Sequence, residues 1–231
     1  MKLLVIDTSG PVCGVAVMEN EKVLCEYTAQ NRNTHSANLM PMTEAALASA
    51  GIAVCDLDAV AAVTGPGSFT GVRIGVATAK GFAHGAGIPC IAVDALESLS
   101  LSAGGFDGVV CPIQDARAGQ VYGAAFRNGE RLLPDEPLKL EEYLAKILPL
   151  GEKFLFLGDG MPVHREKIRE ILGSSAFFAQ AHLNYLRPSA AGLLALRETP
   201  TDYLNLQATY LRPPNAQKNR KLLEAMGMKE E

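Results

Sequence analysis

The sequence predicts an α/β fold built from two duplicated β-α halves, each with a mixed sheet. Short apolar runs alternate with helical stretches, and antiparallel hairpins precede a β-α-β-α order in the first half. The same order of elements then begins again, so that the turns starting at Asp7 and at Asp115 occupy the same place in the two halves. We therefore divide the chain at the Ala103-Gly104-Gly105 hinge into residues 1–104 and a degenerate second half plus tail, residues 105–231.

Residue patterns justify the elements of the first half in order. Runs of apolar and β-branched residues predict the strands, with Glu19-Asn20-Glu21 as a hairpin turn. Ser36 is the expected N-cap of the first helix, and Asp94 caps the last one. The predicted strands lie at 2–7, 12–18, 22–29, 59–64 and 88–93. The predicted helices lie at 36–50, at 71–86 with a start between residues 71 and 76, and at 94–101.

The second half opens on a hairpin around the turn Ala116-Arg117-Ala118-Gly119. From Leu211 onward the chain is expected to be a peripheral tail. Its basic cluster, Lys218, Arg220 and Lys221, fits a solvated tail or a phosphate contact. The predicted strands lie at 109–115, 120–126 and 154–157, and the predicted helices lie at 140–148 and 163–172.

Composition places the chain among soluble globular proteins. It has 231 residues, 48% of them hydrophobic, and no apolar run of the ~18 residues that a membrane helix needs. Residues 1–110 carry a net charge of −5 and residues 111–231 a net charge of +1, without a basic stripe for nucleic acid. The five cysteines stand singly and the first strand follows Met1 directly, so we expect reduced thiols, no signal peptide and a cytoplasmic protein.

The most informative stretch, residues 65–75, reads Gly-Pro-Gly-Ser-Phe-Thr-Gly-Val-Arg-Ile-Gly. It links a buried strand to a helix, which is where α/β proteins hold anions on backbone amides. Val72 and Arg73, however, replace the Lys and Ser/Thr of a P-loop, and Thr70 replaces the third glycine of the dinucleotide fingerprint. The stretch therefore predicts a tight turn with close helix packing, and phosphate binding is the alternative.

Two carboxylates at strand ends are the candidates for binding a cofactor. Asp7 is followed by Thr8 and Ser9, whose oxygens fit a phosphate-bound Mg²⁺ or an Asx turn that fixes the hairpin. Asp115 stands near Arg117 in the corresponding turn, where a solvated ion pair is the alternative. Weak nucleotide binding through these residues stays open.

Other catalytic chemistry is hard to build from this sequence. No two of His35, His84, His164 and His182 lie within one helical turn of each other, and no serine stands in Gly-x-Ser-x-Gly. We therefore expect no hydrolase site and no bound zinc, iron or nickel.

The two N-terminal helices are apolar nearly all round, which is typical of a helix that is deeply buried or covered by a partner. We predict that helices 36–50 and 71–86 form a protein–protein interface, and a deep core is the alternative. A charge at Ala79 would then break the complex without unfolding the chain. The expected interface residues are Leu39, Met42, Thr43, Ala46, Val72, Val76, Ala79, Lys80 and Ala83.

Several motifs occur together in order along this chain. They are Ile6-Asp7-Thr8-Ser9, His35-Ser36, residues 65–75, Asp115-Ala116-Arg117 with Val121-Tyr122, and Tyr210-Leu211-Arg212. With them the chain resembles the TsaB (YeaZ) family of bacterial tRNA threonylcarbamoyladenosine (t6A) proteins, noncatalytic relatives of TsaD in the Gcp, or M22 glycoprotease, family. The resemblance implies the actin-like ATPase (ASKHA, sugar-kinase/Hsp70-like) fold.

The resemblance also implies a function and partners. TsaD is the enzyme that transfers threonylcarbamoyl to tRNA. A TsaB-like chain binds and activates it as a scaffold, pairs with itself when alone, is joined by the ATPase TsaE, and meets tRNA only indirectly. Ala95 and Leu99 stand at the positions of the two metal-binding histidines of TsaD, and Arg117 replaces a glycine-rich, acidic phosphate loop.

The resemblance therefore implies a noncatalytic protein without a cofactor, a metal or a membrane contact. The alternative function is an actin-like ATPase or kinase that uses Asp7 and Asp115. An M22-type peptidase is a further alternative.

Overall fold

Each half of the chain forms a five-stranded mixed sheet in the computed structural model, which describes residues 1–31 and 34–212. The basic cluster at Lys218, Arg220 and Lys221 lies outside the described residues. The first half contains strands β1 (Lys2–Asp7), β2 (Cys13–Glu19), β3 (Lys22–Ala29), β4 (Ala59–Gly65) and β5 (Cys90–Asp94), and helices α1 (His35–Ala50), α2 (Phe69–Ala86) and α3 (Ala95–Leu101). The second half contains strands β6 (Val109–Asp115), β7 (Gln120–Arg127), β8 (Glu130–Lys139), β9 (Phe154–Leu157) and β10 (Ala176–Phe178), and helices α4 (Leu140–Ile147), α5 (Gly160–Leu172) and α6 (Pro188–Ala195).

The topology of the two sheets confirms the predicted duplication. The first sheet has the order β3-β2-β1-β4-β5, and the second has the order β8-β7-β6-β9-β10 when it is written in the same direction. In each sheet the first three strands pair antiparallel, and the remaining two pairings are parallel. The same order of pairings in both halves supports descent from one repeated unit.

Helices and sheets alternate in five layers. The first layer, α1 and α2, covers the outer face of the first sheet, while α3 and α6 fill the space between the two sheets. The last layer, α4 and α5, covers the outer face of the second sheet. Because side chains alternate along a strand, Leu4 and Ile6 of β1 point to α1 and α2, whereas Leu3 and Val5 point to the central layer. None of the helices in the described ranges is both long and apolar enough to cross a membrane.

Three elements are missing from the sequence prediction. β8 carries Pro134 and Pro137, which argue against a central strand but are tolerated at the sheet edge that β8 forms. β10 has three residues, too few to show a period. α6 begins at Pro188, which is compatible with the first helical turn, and most of its residues are buried, so it lacks a polar face.

Two helices begin elsewhere than the sequence predicts. α2 begins at Phe69, earlier than predicted, because the Ser68 hydroxyl accepts the Gly71 amide at 3.3 Å. The N-cap position of α1 is Thr34, not the predicted Ser36. The predicted cap of α3 is confirmed, since Asp94 Oδ1 accepts the Glu97 amide at 2.7 Å.

The end of the described chain returns to the first sheet. α6 packs on β1 and β2, Thr201 pairs with Cys90 of β5, and the Thr209 amide donates to the Thr64 carbonyl at 2.7 Å. The predicted division near residue 104 falls in the connection between α3 and β6. Residues 188–212 nevertheless pack mainly with the first half, which the order of elements along the chain does not reveal.

The Arg131 guanidinium, on β8, joins the second half to the start of α3. It lies 3.2 Å from Asp94 Oδ1 and 2.8 Å from Glu97 Oε2, and it also pairs with Asp135. The same group stacks 4.7 Å from the centre of the Phe126 ring. Three carboxylates and one aromatic face hold this cation at the boundary between the halves.

We expect Arg131→Met to lower the free energy of unfolding by about 2 kcal/mol, because it leaves three partly buried carboxylates near one another without their cation. The value lies below that for a fully buried pair because the Arg131 side chain is 29% exposed. Urea unfolding followed by circular dichroism measures it. The control is Lys167→Met, which removes an exposed pair with Glu170 and should change stability by less than about 0.5 kcal/mol. Equal effects of the two changes would show that Arg131 does not brace the halves.

Candidate functional site

The turn after β1 holds the first candidate carboxylate. Asp7 is 2% exposed, and its Oδ1 accepts the Ser9 amide at 2.8 Å and the Ser9 hydroxyl at 2.7 Å. This arrangement is an Asx turn, the predicted alternative to a Mg²⁺ ligand. Burial raises the pKa of Asp7 to about 6, although the hydrogen bonds from Ser9 and the charge of His35 act in the opposite direction.

The glycine-rich stretch packs directly on this turn. The Thr8 hydroxyl donates to the Gly71 carbonyl at 2.7 Å. A Cβ atom on Gly67 would overlap the Ser9 carbonyl oxygen, one on Gly71 would overlap the Thr8 carbonyl oxygen, and one on Gly75 would lie 2.5 Å from Thr8 Oγ1. Backbone therefore fills the space between the loop and the turn. The geometry favours the tight-turn interpretation of residues 65–75 over phosphate binding.

The corresponding turn of the second half is more open. Asp115 is exposed, and its Oδ1 accepts the Arg117 amide at 2.9 Å, so the contact between these residues is a turn hydrogen bond. Arg117 and Ala118 have φ values of 63° and 51°, which residues with a Cβ atom rarely adopt. Asp159, which sequence reasoning did not single out, accepts the Asp115 amide at 3.2 Å. Burial raises the pKa of Asp159 to about 6, partly opposed by that hydrogen bond.

A cavity between the two halves brings Asp7 together with Asp159, and its described lining does not include Thr8, Ser9 or Asp115. Its volume is about 10 Å³, room for about one water, which is far below the roughly 300–1,000 Å³ of ordinary ligand pockets. Among the described residues, no Lys, Arg or His lines it. A nucleoside triphosphate needs both volume and positive charge, so ATP does not fit this cavity. That the chain has no cofactor stays a prediction.

Apolar side chains stand where the resemblance places the metal-binding histidines of TsaD. Ala95 and Leu99 are both buried, and Leu99 lines the cavity. Within residues 1–31 and 34–212, no three His, Cys, Asp or Glu side chains meet as a metal cluster. That the chain holds no zinc, iron or nickel stays a prediction.

Most residues predicted to meet a partner lie in the chain's own core, which corrects their assignment to an interface. They pack under α1 and α2 against the outer face of the first sheet, where small side chains let the helices approach the strands closely. Met42 and Lys80 are half-buried. The buried ones, each between 0% and 7% exposed, are Leu39, Thr43, Ala46, Val72, Val76, Ala79 and Ala83. Burial at these positions favours the deep-core alternative.

The opposite faces of α1 and α2 are exposed and mostly apolar or small. The two helices lie side by side on the first sheet, and Met40 is 52% exposed. Glu44 and Arg73 supply charges on this surface, and His84 is also exposed there. Its other members, which we call the α1–α2 outer face, are Ala37, Pro41, Ala45 and Ala48 of α1 and Ala77 and Gly81 of α2.

Residues 209–212 connect the glycine-rich stretch to the second half. Arg73 Nε donates to the Tyr210 hydroxyl at 2.7 Å, and the Arg73 guanidinium lies 3.8 Å over the Phe69 ring. Arg212 Nη1 donates to the Ala116 carbonyl at 2.9 Å. The Tyr210-Leu211-Arg212 motif was the sequence signal for this segment, but the motif did not indicate what the segment touches.

Comparison with known proteins gives consistent matches. The family model described as TsaD, tRNA N6-adenosine threonylcarbamoyltransferase, matches residues 22–219. The tRNA threonylcarbamoyladenosine biosynthesis protein TsaB of Bacillus subtilis is 36% identical over 94% of this chain and 96% of its own length. TsaB of Escherichia coli is 37% identical over 56% of this chain and 57% of its own length.

Solved structures agree on the fold. A Pseudomonas aeruginosa protein described as similar to the peptidase YeaZ superposes with a TM-score of 0.75 at 26% identity, over 91% of this chain and 99% of that one. Component A of (R)-2-hydroxyglutaryl-CoA dehydratase from Acidaminococcus fermentans superposes with a TM-score of 0.51 at 10% identity, over 85% and 98%. The predicted actin-like α/β fold is thereby confirmed.

We expect Gly71→Ala to lower the free energy of unfolding by about 3 kcal/mol, because its Cβ would overlap the Thr8 carbonyl and force the backbone apart. Gly81→Ala is the matched control. Gly81 also lies inside α2 but has open space around it, so the change should stabilise the protein by roughly 0.5–1 kcal/mol through helix propensity. Urea unfolding distinguishes the two. Similar stability of both variants would contradict the close packing of α2 on the turn.

We expect Asp7→Asn to stabilise the chain in alkaline buffer and not in acid. The pKa of Asp7 is about 6 in the folded chain against about 3.9 when unfolded, so wild-type stability falls as pH rises through this window. Asparagine keeps the Oδ1 acceptor without the charge. The variant should exceed the wild type by roughly 2 kcal/mol at pH 8 and match it near pH 4, measured by urea unfolding in chelator-treated buffer. Asp107→Asn, at a fully exposed carboxylate, should show no such pH-dependent gain. A gain of the same size at both pH values would refute the ionic explanation.

Proposed function

This chain belongs to the TsaB family of tRNA threonylcarbamoyladenosine biosynthesis proteins, and we propose that in this pathway it is the noncatalytic subunit that binds and activates a TsaD-like enzyme. The observation that carries the proposal is the cavity between the halves. It is small and lacks a described basic lining residue, and Leu99 stands where the resemblance places a metal ligand. The alternative, an ATPase or kinase built on Asp7 and Asp115, is disfavoured because Asp115 does not line this cavity.

The α1–α2 outer face is the surface that we assign to the TsaD-like partner. The inner faces of both helices are used by the chain's own core, so a partner meets the residues that remain exposed. Ala, Gly and Met on two neighbouring helices let another pair of helices approach closely, and an apolar surface of this kind typically marks an interface. The same face would pair two copies of the chain when the partner is absent.

The proposed complex has two further components, an ATPase and tRNA. A TsaE-like ATPase joins the complex, and tRNA is held by the catalytic subunit, so its contact with this chain is indirect. The net charge of −4 supports this assignment, because binding to nucleic acid relies on an excess of positive charge. Cytoplasmic tRNA modification is part of the same proposal.

We expect Ala77→Glu to abolish capture of a TsaD-like protein and to convert a homodimer into a monomer, because a charge would be desolvated at the interface. The loss in affinity should be on the order of a hundredfold or more. Pull-down with purified TsaD and size-exclusion chromatography measure it, and circular dichroism should stay unchanged because Ala77 is exposed.

Two further variants control this test. Ala145→Glu, at an exposed alanine of α4, should leave capture intact. Ala79→Glu should unfold the chain, because Ala79 is fully buried. A folded Ala77→Glu variant that still binds TsaD would exclude this face. Micromolar ATP binding with turnover by the isolated chain would favour the ATPase alternative.

A further inference from the structure

Two buried amide oxygens in the cavity between the halves are without a donor. Gln114, near the end of β6, and Asn184 are each 5% exposed. Gln114 Oε1 and Asn184 Oδ1 receive no hydrogen bond from the described residues, and both side chains line the cavity. A buried acceptor left in this state destabilises the fold, because it has lost its hydrogen bonds to water without gaining any from the protein. A ligand that offers positive charge to both oxygens would recover that loss.

Two carboxyl groups line the same cavity from opposite halves of the chain. Both hydrogen bonds from Ser9 go to Asp7 Oδ1, which leaves Oδ2 unused by Ser9. Asp159 accepts the Asp115 amide through Oδ1. Asp7 is buried and Asp159 is half-buried, so neither carboxyl group is fully hydrated. No cationic side chain among the described lining residues balances them.

We propose that this cavity binds a hard, oxygen-liganded divalent cation, Mg²⁺ or Ca²⁺, in the absence of any nucleotide. Its side-chain ligands would be Asp7, Gln114, Asp159 and Asn184. Carboxylate and amide oxygens are the donors that these ions prefer, whereas zinc, iron and nickel favour nitrogen or sulfur. The interior leaves about 10 Å³ for the centres of water-sized atoms, which is room for about one ion or one water.

A cation in this position would link the two halves of the duplication. Asp7 belongs to the turn after β1, Gln114 lies near the end of β6, and Asp159 precedes α5. Neutralising the buried carboxylates stabilises the closed arrangement of the halves and thereby the folded chain. The binding needs neither TsaD nor tRNA, so it is tested independently of the proposed scaffold function.

The test is calorimetry and thermal unfolding of the full chain, freed of nucleotide and treated with chelator, at about pH 7.5. Titration with MgCl₂ and with CaCl₂ should give one site per chain for at least one of them, and about 10 mM of that salt should raise the unfolding midpoint above that in NaCl of equal ionic strength. Asp159→Asn and Gln114→Leu should each weaken binding about tenfold or more. Asp107→Asn, which removes an exposed carboxylate outside the cavity, should leave binding unchanged.

Three results would overturn the proposal. The first is the absence of binding heat together with no midpoint shift beyond that of matched NaCl. The second is a shift of equal size in wild type, Asp159→Asn and Gln114→Leu, which would place the cation elsewhere. The third is stability that rises as pH falls through about 6 while staying independent of divalent cations, which would mean that protons neutralise the cavity.

Discussion

The rest of the structure depends on the close contact between α2 and the turn after β1. Gly67, Gly71 and Gly75 face Thr8 and Ser9, and their lack of a Cβ atom lets the backbone pack directly on this turn. The Thr8 hydroxyl then bonds a helix carbonyl directly. This contact sets the position of α2 on the first sheet, and with it the position of α1 beside it. It also holds the turn that carries Asp7, so the shape of the cavity follows from the same packing.

The duplication shows how one topology can carry two different sites. Both halves place a turn at the end of their first strand, but the first turn is buried and internally hydrogen-bonded, whereas Asp115 in the second is exposed. Asp159, from the β9–α5 connection, lines the cavity in its place. The two halves share their strand order, whereas individual side chains decide which groups face the space between the halves.

Helices rich in alanine and glycine present two usable faces, and this explains the error in the interface residues. In α1 and α2, small residues occur both on the face that packs on the sheet and on the face that meets solvent. The inner face packs on the sheet, and the outer face is exposed to solvent and is the one proposed to meet a partner. Periodicity alone does not separate them, because neither face is marked by a consistent row of charges.

The sequence by itself determined the class of the fold, its duplication, most of its elements and its family, because hydrophobic periods and glycine positions act locally along the chain. Only the tertiary structure decided that residues 65–75 pack on Thr8 and Ser9, that Asp159 joins Asp7 in one cavity, and that Ala79 faces the core while Ala77 faces solvent. These outcomes depend on contacts between residues far apart in the chain. No local pattern encodes such contacts, since Ala and Gly fit a core, a turn and an interface equally well.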